Sequence, residues 1–260
     1  MDIEKEARPK TGLAWWGEVA RAWGPAILAV LLIRTYIFEP FRIPSGSMVP
    51  TLLIGDHVLV NKSAYGLWTP FTGVDIPFVL DKVWIVPRME IFDWGDPDRG
   101  DIIVFRYPND ESLTYIKRVV AIGGDRIEVK NNQVILDGVL QQRDYQGSYS
   151  FVDDRCRSHG AKRYIEDLGE VQHEMLTSTG LGGLLANHKA FTVPENTVFV
   201  MGDNRDNSED SRRWGIVRFD QVKGKAHFVW LSWDRCAGEY GQVRGSRFFT
   251  NLYAEPEVAE

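Results

Sequence analysis

Three groups of residues could do chemistry. The first is Ser45-Gly46-Ser47-Met48, set between Pro44 and Pro50. Proline and glycine fix the dihedrals of such a turn, so a serine there is held at one angle. A nucleophile needs that placement, although an ordinary surface turn uses the same residues. The second is Lys117, within Leu113–Asp125, LTYIKRVVAIGGD. In a strand, alternate residues share a face, so Tyr115, Lys117, Val119 and Ala121 lie opposite Ile116, Arg118 and Val120. If the lysine face is buried, desolvation lowers its pKa. An unperturbed lysine is only about 0.1% neutral near pH 7.5, and a drop of roughly two units raises that to about a tenth, enough for a general base. The bland alternative is a strand lysine snorkelling at a sheet edge. The third is the loop in Val198–Gly215, VFVMGDNRDNSEDSRRWG, where a strand runs into Asp, Asn, Ser and Arg.

That loop does not read as a calcium site. Arg205 takes the third position counted from Asp203, and Ser208 replaces the glycine that an EF-hand requires at the sixth. It reads better as a loop that bonds internally and packs a hydroxyl against a reacting group, with Asp210 and Arg212 as an ion pair worth little if exposed. The five histidines, His57, His159, His173, His188 and His227, sit in no motif with a neighbouring acid and a glycine-rich turn, which disfavours a Ser-His-Asp triad.

The elements that must position these groups are mainly β. Short apolar segments broken by Gly, Pro, Asp and Asn predict strands at 57–60, 102–105, 116–122, 127–129, 134–136, 197–201 and 226–233, with turns at Asn131-Asn132 and Asp137-Gly138. A short helix is expected over Glu166–Leu176. The architecture is a barrel- or sandwich-like body of antiparallel sheets, comprising 39–139 and 193–253. Residues 140–192, polar and irregular in their patterning, form a smaller β-rich insertion. Residues 67–98 are rich in aromatics (Trp68, Phe71, Phe78, Trp84, Phe92, Trp94), either a hairpin with its own small core or an apron at a bilayer interface. An acidic tail follows, 254–260.

Before this body lies an apolar run, Trp23–Ile33, of 11 residues. That is short for a span, which takes about 20, but Thr35–Phe38 extend it if Arg34 snorkels. The expected anchor is 22–38, after a polar segment 1–21. No small-residue cleavage site follows, which disfavours a removable leader. Lys5, Arg8, Lys10 and Arg21 precede the run and only Arg42 closely follows it, so the positive-inside rule puts the N-terminus in the cytoplasm. A net charge of −6 argues against nucleic acid as a partner. Cys156 and Cys236 show no metal-site spacing. They could pair outside the cytoplasm or remain free.

Taken together, FRIPSGSMVPTLLIGDHVLVNKSAYG, RGDIIVFRYP, YIKRVVAIGGD and MGDNRDNSEDSRRWG, in this order behind an apolar anchor, resemble the bacterial type I signal peptidases. These are membrane-bound Ser-Lys serine proteases. The resemblance implies Ser47 as nucleophile, Lys117 as general base, Ser208 orienting the lysine, and Ser45 completing an oxyanion hole with the Ser47 N–H. It implies pockets for small residues at Phe41, Ile43, Pro44, Met48, Leu52, Tyr115 and Ile116, and a structural ion pair at Asp210 and Arg212. It also implies no cofactor or metal, a monomer working with membrane lipid, signal peptides of secretory preproteins cut at A-x-A-type sites, and a place in the bacterial cytoplasmic (inner) membrane with the catalytic domain outside the cytoplasm. Many proteobacterial members have two spans and a close cysteine pair in the insertion. Here one span is visible and only Cys156 lies in that region, which leaves the state of both cysteines open. Two other readings compete: a self-cleaving Ser-Lys regulator, which would need an Ala-Gly segment in cis and lacks an anchor, and an anchored β-rich binding protein with decayed chemistry.

Overall fold

The computed structural model describes residues 12–68, 72–74, 83–84, 90–169, 171–180 and 183–256. It opens with a helix, α1 (Leu13–Tyr36), of 24 residues, about 36 Å long at 1.5 Å per residue. Its side chains are mostly exposed, and among the described residues it is the one helix long and apolar enough to cross a membrane. The helix begins at Leu13 where the polarity boundary suggested residue 22. Glu18 and Arg21 interrupt an apolar run but are good helix formers, so they do not interrupt the helix. Lys5, Arg8 and Lys10, on which the orientation argument leans, lie outside the described residues.

Strand β1 (Phe38–Arg42) follows at once and pairs with β2 (Asp56–Asn61). Strands β3 (Gly66–Trp68), β4 (Thr72–Val74), β5 (Val83–Trp84) and β6 (Glu90–Asp93) nest as two pairs, β3 with β6 and β4 with β5. Next come the hairpin β7 (Ile102–Tyr107) and β8 (Asp110–Ile122), then β9 (Arg126–Lys130), β10 (Gln133–Leu136) and β11 (Val139–Leu140). The last three turn at Asn131-Asn132 and Asp137-Gly138, all in left-handed φ as those residues favour. Strands β12 (Arg143–Val152), β13 (Ser158–Asp167) and β14 (Gln172–Ser178) make a sheet of their own, and β15 (His188–Thr192) returns to β9. The chain ends through β16 (Thr197–Met201), the single turn α2 (Ser211–Trp214), β17 (Val217–Arg218), β18 (Val222–Asp234), β19 (Gln242–Val243) and β20 (Thr250–Asn251). The main sheet runs β1-β2-β18-β7-β8-β16-β17, with β19 and β20 against β18. The fold is therefore mainly β and antiparallel, as expected.

Strand β8 organises the interior. Ile116 packs with Ile43, Met48, Leu52, Val58 and Val104 in one core, and Val119 packs with Ile103, Phe105, Val198 and Val200 in a second. Then β8 bulges at Val120, the extra residue between Val119, which faces Val200, and Ala121, which faces the adjacent Phe199. A bulge breaks strict alternation. Val120 and Ala121 consequently both join a third core with Ile127, Val129 and Leu168, and Ala121 does not share the face of Lys117 as simple alternation predicted.

One other expectation is corrected. Glu166–Leu176 is no helix: it is the end of β13, a reversal in which Leu168 N–H donates to the Val171 carbonyl, and β14. Gly169 takes φ +98 there, which glycine alone accepts without strain. Glu166 and His173 face each other across the strands, both buried, so the acid is part of a buried cluster. The insertion is β-rich as expected, since 140–192 carries the three long strands of a sheet of its own. In the aromatic stretch, Ile91, Phe92 and Trp94 are exposed. Phe71, Phe78 and Ile85 lie outside the described residues, as does the end of the acidic tail.

Candidate active site

The turn after β1 is pinned by what its side chains do. Gly46–Met48 form one 3-10 turn, entered from Ser45 in extended conformation. Met48 drops into the core beside Ile116, whereas Val49 goes the other way, against Ala161 and Leu176 of the inserted sheet. The 204 region holds the turn from outside: Asn204 N–H donates to the Ser47 carbonyl at 3.1 Å and its side chain donates to the Gly46 carbonyl at 3.0 Å. Ser47 is left nearly buried. Its N–H lies in the first turn, where no internal partner exists, and meets no backbone carbonyl among the described residues.

Lys117 reaches this serine from β8, with Nζ donating to Ser47 Oγ at 2.7 Å and to the Ile116 carbonyl at 3.0 Å. With the amine neutral, the contact reverses and the hydroxyl donates. Only 4% of the lysine is exposed. Burial lowers its pKa to about 8, with Arg212 adding to the drop, while Asp210 and Asp203 oppose it. That is a large shift from 10.5 and needs no direct cationic neighbour.

The neighbouring strand residue sets the geometry. Arg118 forks onto Asp203, Nε to Oδ1 at 2.9 Å and Nη2 to Oδ2 at 2.8 Å, and Thr51 donates to the same carboxylate at 2.5 Å. Asp203 thus joins the residue after Lys117 to a residue four beyond Ser47. Burial alone would raise this carboxyl, but Arg118 outweighs it and holds the group below its ordinary value. Gly202 is where two backbones meet, because a Cβ there would overlap both the Ser47 carbonyl and Ser208 Oγ.

Asp210 and Arg212 pair as expected, Nε–Oδ1 and Nη2–Oδ2 both at 2.8 Å, but with both side chains fully buried. The Gly202 N–H also donates to Asp210. Arg212 further donates to the Arg205 carbonyl at 2.6 Å and to Asn132 Oδ1 at 3.0 Å. The pair is a keystone of the loop, not a weak surface contact. Ser208 is buried close by, but among the described residues its Oγ makes no hydrogen bond to Lys117; it lies towards Asp210 and helps hold that carboxyl below its ordinary value. The carboxylates of this loop are spent on cations and N–H groups: Asp203 on Arg118, Asp206 on Asn132, Ser178 and Gly183, Asp210 on Arg212.

A cleft of about 810 Å³ opens over Ser47 and Lys117. Phe41, Pro44, Ser45, Tyr115 and Ile116 line it; Ile43, Met48 and Leu52 do not, being buried in the core behind. His57 lies against Trp230, and neither it nor His227 touches Ser47. His159 is on the cleft wall but bonds Asp153. Sequence reasoning missed Arg118, Asp203, Asn204 and Gly202 as positioning residues. The signal was present in Lys117-Arg118, two cations inside an otherwise apolar strand.

The sequence matches the family described as signal peptidase, peptidase S26, over residues 16–233. It is similar to a signal peptidase I of Pseudomonas fluorescens, 37% identical over 227 residues that cover 83% of this chain and 72% of that protein. A signal peptidase I of Rickettsia felis is 33% identical over 281 residues, covering 98% of this chain and 99% of its own. A crystal structure of a signal peptidase I from Enterococcus faecalis V583 aligns at 25% identity over 50% of this chain and 96% of that one, with a TM-score of 0.29.

Two stability predictions follow from the buried charges. Arg212→Met leaves Asp210 buried without its cation and should cost about 3–5 kcal/mol in urea unfolding, much more than an exposed pair would. Lys117→Met should do the opposite. The lysine titrates lower in the folded chain than in the unfolded one, so below about pH 8 the buried ammonium destabilises the fold by about 3 kcal/mol. That cost is relieved as pH rises from about 8 towards 10.5. Lys117→Met should therefore unfold at equal or higher urea concentration at pH 7, with the gain shrinking above pH 9; a clear loss at pH 7 would contradict the assignment of burial as the cause.

Proposed function

The chain belongs to the peptidase S26 signal peptidase family, whose members are serine endopeptidases, and on that premise we propose that it removes signal peptides from exported preproteins with a Ser47–Lys117 dyad. The observation that carries this reading is the 2.7 Å contact between Ser47 Oγ and the amine of a buried lysine whose pKa is lowered to about 8. At pH 7.5 roughly a quarter of such a lysine is neutral, about two hundred times the fraction of an exposed one.

Neutral Lys117 takes the Ser47 proton as Oγ attacks the scissile carbonyl. The carbonyl electrons move onto oxygen, where the Ser47 N–H and the Ser45 hydroxyl serve as donors to the oxyanion. The C–N bond breaks as Lys117 returns the proton to the leaving amine, giving an acyl-enzyme on Ser47. Water then gives its proton to Lys117 and attacks the ester, and Ser47 is restored. Ser208 is read as a positioning group for Lys117, reaching it when substrate tightens the site.

An extended substrate has a place to lie. Strand β16 pairs with β8 only from Arg118 to Ile122, so the edge of β8 at Thr114–Lys117 is unpaired on that side and can take an added strand. Phe41, Pro44, Tyr115 and Ile116 give its side chains an apolar lining, with Ile43, Met48 and Leu52 filling the space behind. A lining this crowded suits the small residues of an A-x-A site. With α1 as the anchor, the basic residues before it place the N-terminus in the cytoplasm and the sheets outside the inner membrane. The enzyme acts as a monomer against the lipid surface, without metal or cofactor.

The test is cleavage of a preprotein with an A-x-A site in detergent across pH. Wild-type kcat/KM should rise through an ionisation near 8, as Lys117 loses its proton, and then level. Ser47→Ala and Lys117→Ala should each lose at least about a thousandfold. Near-normal activity of Lys117→Ala would remove the dyad.

A further inference from the structure

The cleft has two walls of different origin. Phe41, Pro44, Tyr115 and Ile116 come from the main sheet, while Phe151, Asp153, Arg155, Arg157 and His159 come from the tip of the β12–β13 hairpin. The first wall is apolar and the second is charged. The mechanism above uses only the first.

The charged tip is built, not loose. Asp153 accepts from the N–H groups of Arg155 and Arg157 at 2.9 and 2.8 Å, from Arg157 Nε at 2.9 Å, and bonds His159 Nε2 at 2.9 Å. These bonds, those from Arg157 and His159 foremost, hold its carboxyl well below the ordinary range. Cys156, at the crest with φ 60, forms a disulfide with Cys236, just past the end of β18, although 80 residues separate them. Arg235 adds a hydrogen bond to the Asp154 carbonyl. Since β18 lies in the middle of the main sheet, the crest is tied to the same body that carries Ser47. The root of the hairpin is fixed too, through Phe151, Ala161 and Leu176 packing with Val49, two residues from Ser47. With Asp153 engaged, the side chains of Asp154 and Arg155 have no ion-pair partner among the described residues, and both face the cleft.

Deepening the signal-peptidase reading on which it rests, we propose that this disulfide-tethered tip is the recognition wall for the leaving side of the scissile bond, binding a polar, extended polypeptide segment. The substrate of such an enzyme is itself two-sided. Apolar chain precedes the cut, and the new N-terminus that follows it enters water. An apolar wall and a charged wall flanking one serine match that division. The tether matters because hydrogen bonds from Asp154 and Arg155 are worth most when the groups are held in place before substrate arrives.

Two peptides with the same A-x-A residues before the cut distinguish the outcomes, one ending in a coumarin amide as leaving group and one continuing for six polar residues. Full-length enzyme in detergent is compared with Cys156→Ser/Cys236→Ser. For the long peptide, KM should rise about tenfold, the equivalent of one or two hydrogen bonds to charged groups, with kcat unchanged. For the coumarin amide, kcat/KM should change by less than about twofold, which also shows that the variant is folded. As a second variant, Arg155→Glu keeps the disulfide and should invert a preference for aspartates over lysines among the six residues. Equal effects of the cysteine variant on both substrates, or none on either, would overturn the proposal. If the parent enzyme cuts neither peptide, the peptidase reading fails and this inference falls with it.

Discussion

Everything in this molecule depends on keeping one amine dry and close to one hydroxyl. Lys117 and Ser47 are 70 residues apart and meet at 2.7 Å. In the proposed dyad the amine can serve as a base only while water is kept away, because burial is what lowers its pKa. The same burial disfavours the fold while the lysine is charged. The chain meets both demands by placing Lys117 in the middle of β8, between two apolar cores, and by bringing the serine to it on a turn whose next residue, Met48, is fully buried in one of those cores. Placement of the serine and desolvation of the lysine are thus one packing problem.

A buried charge cluster fixes the remaining freedom. Arg118 pairs with Asp203, Arg205 with Glu166, and Arg212 with Asp210, three cations against three carboxylates. His173, among them, is kept neutral, its pKa driven down by burial and by Arg118. The cluster is therefore balanced, which it must be, since an unmatched charge at this depth would cost several kcal/mol. Hydrophobic residues of similar volume would serve stability as well. What they would not supply is direction: the Arg118 fork and the Thr51 hydroxyl converge on Asp203 with fixed geometry, so the strand bearing Lys117 and the turn bearing Ser47 cannot slide past each other. Glu166 and His173 come from the inserted sheet, which ties that sheet to the same loop.

How much of this is legible in the sequence depends on how local the signal is. The strands at 57–60, 102–105 and 197–201 follow from runs of branched apolar residues, and the Asn-Asn and Asp-Gly turns follow from residues that accept left-handed φ. The settings of Ser47 and Lys117, a proline-bounded turn and an apolar strand, are visible within ten residues but fit an ordinary turn and an edge lysine as well, and it is the resemblance of four motifs in order that singles the two residues out. Glu166–Leu176 misled because its periodicity is set by partners across the fold, Arg205 and Asp203, and a local window cannot see them. The depth of the Asp210–Arg212 pair was hidden for the same reason. The disulfide was open in the sequence and is decided by the return of β18 beside the hairpin crest, a contact between residues 80 apart. The bulge in β8 at Val120 leaves no mark in composition.

Chain length adds a constraint on where the chemistry can happen. Helix α1 ends at Tyr36 and β1 starts at Phe38, with Ile37 between them. From Tyr36 to Ser47 the chain could reach at most about 38 Å if fully extended, and the 3-10 turn at Gly46–Met48 shortens that path. With α1 in a bilayer, Ser47 is confined to a shell near the membrane surface, whatever the tilt of the body. The same strand that leaves the helix also supplies Phe41 to the apolar wall. A substrate held by its own apolar segment in that bilayer would present its cut site at a comparable height. With α1 so embedded, anchor, strand and turn would set the height of the serine, because a single residue, Ile37, separates α1 from β1.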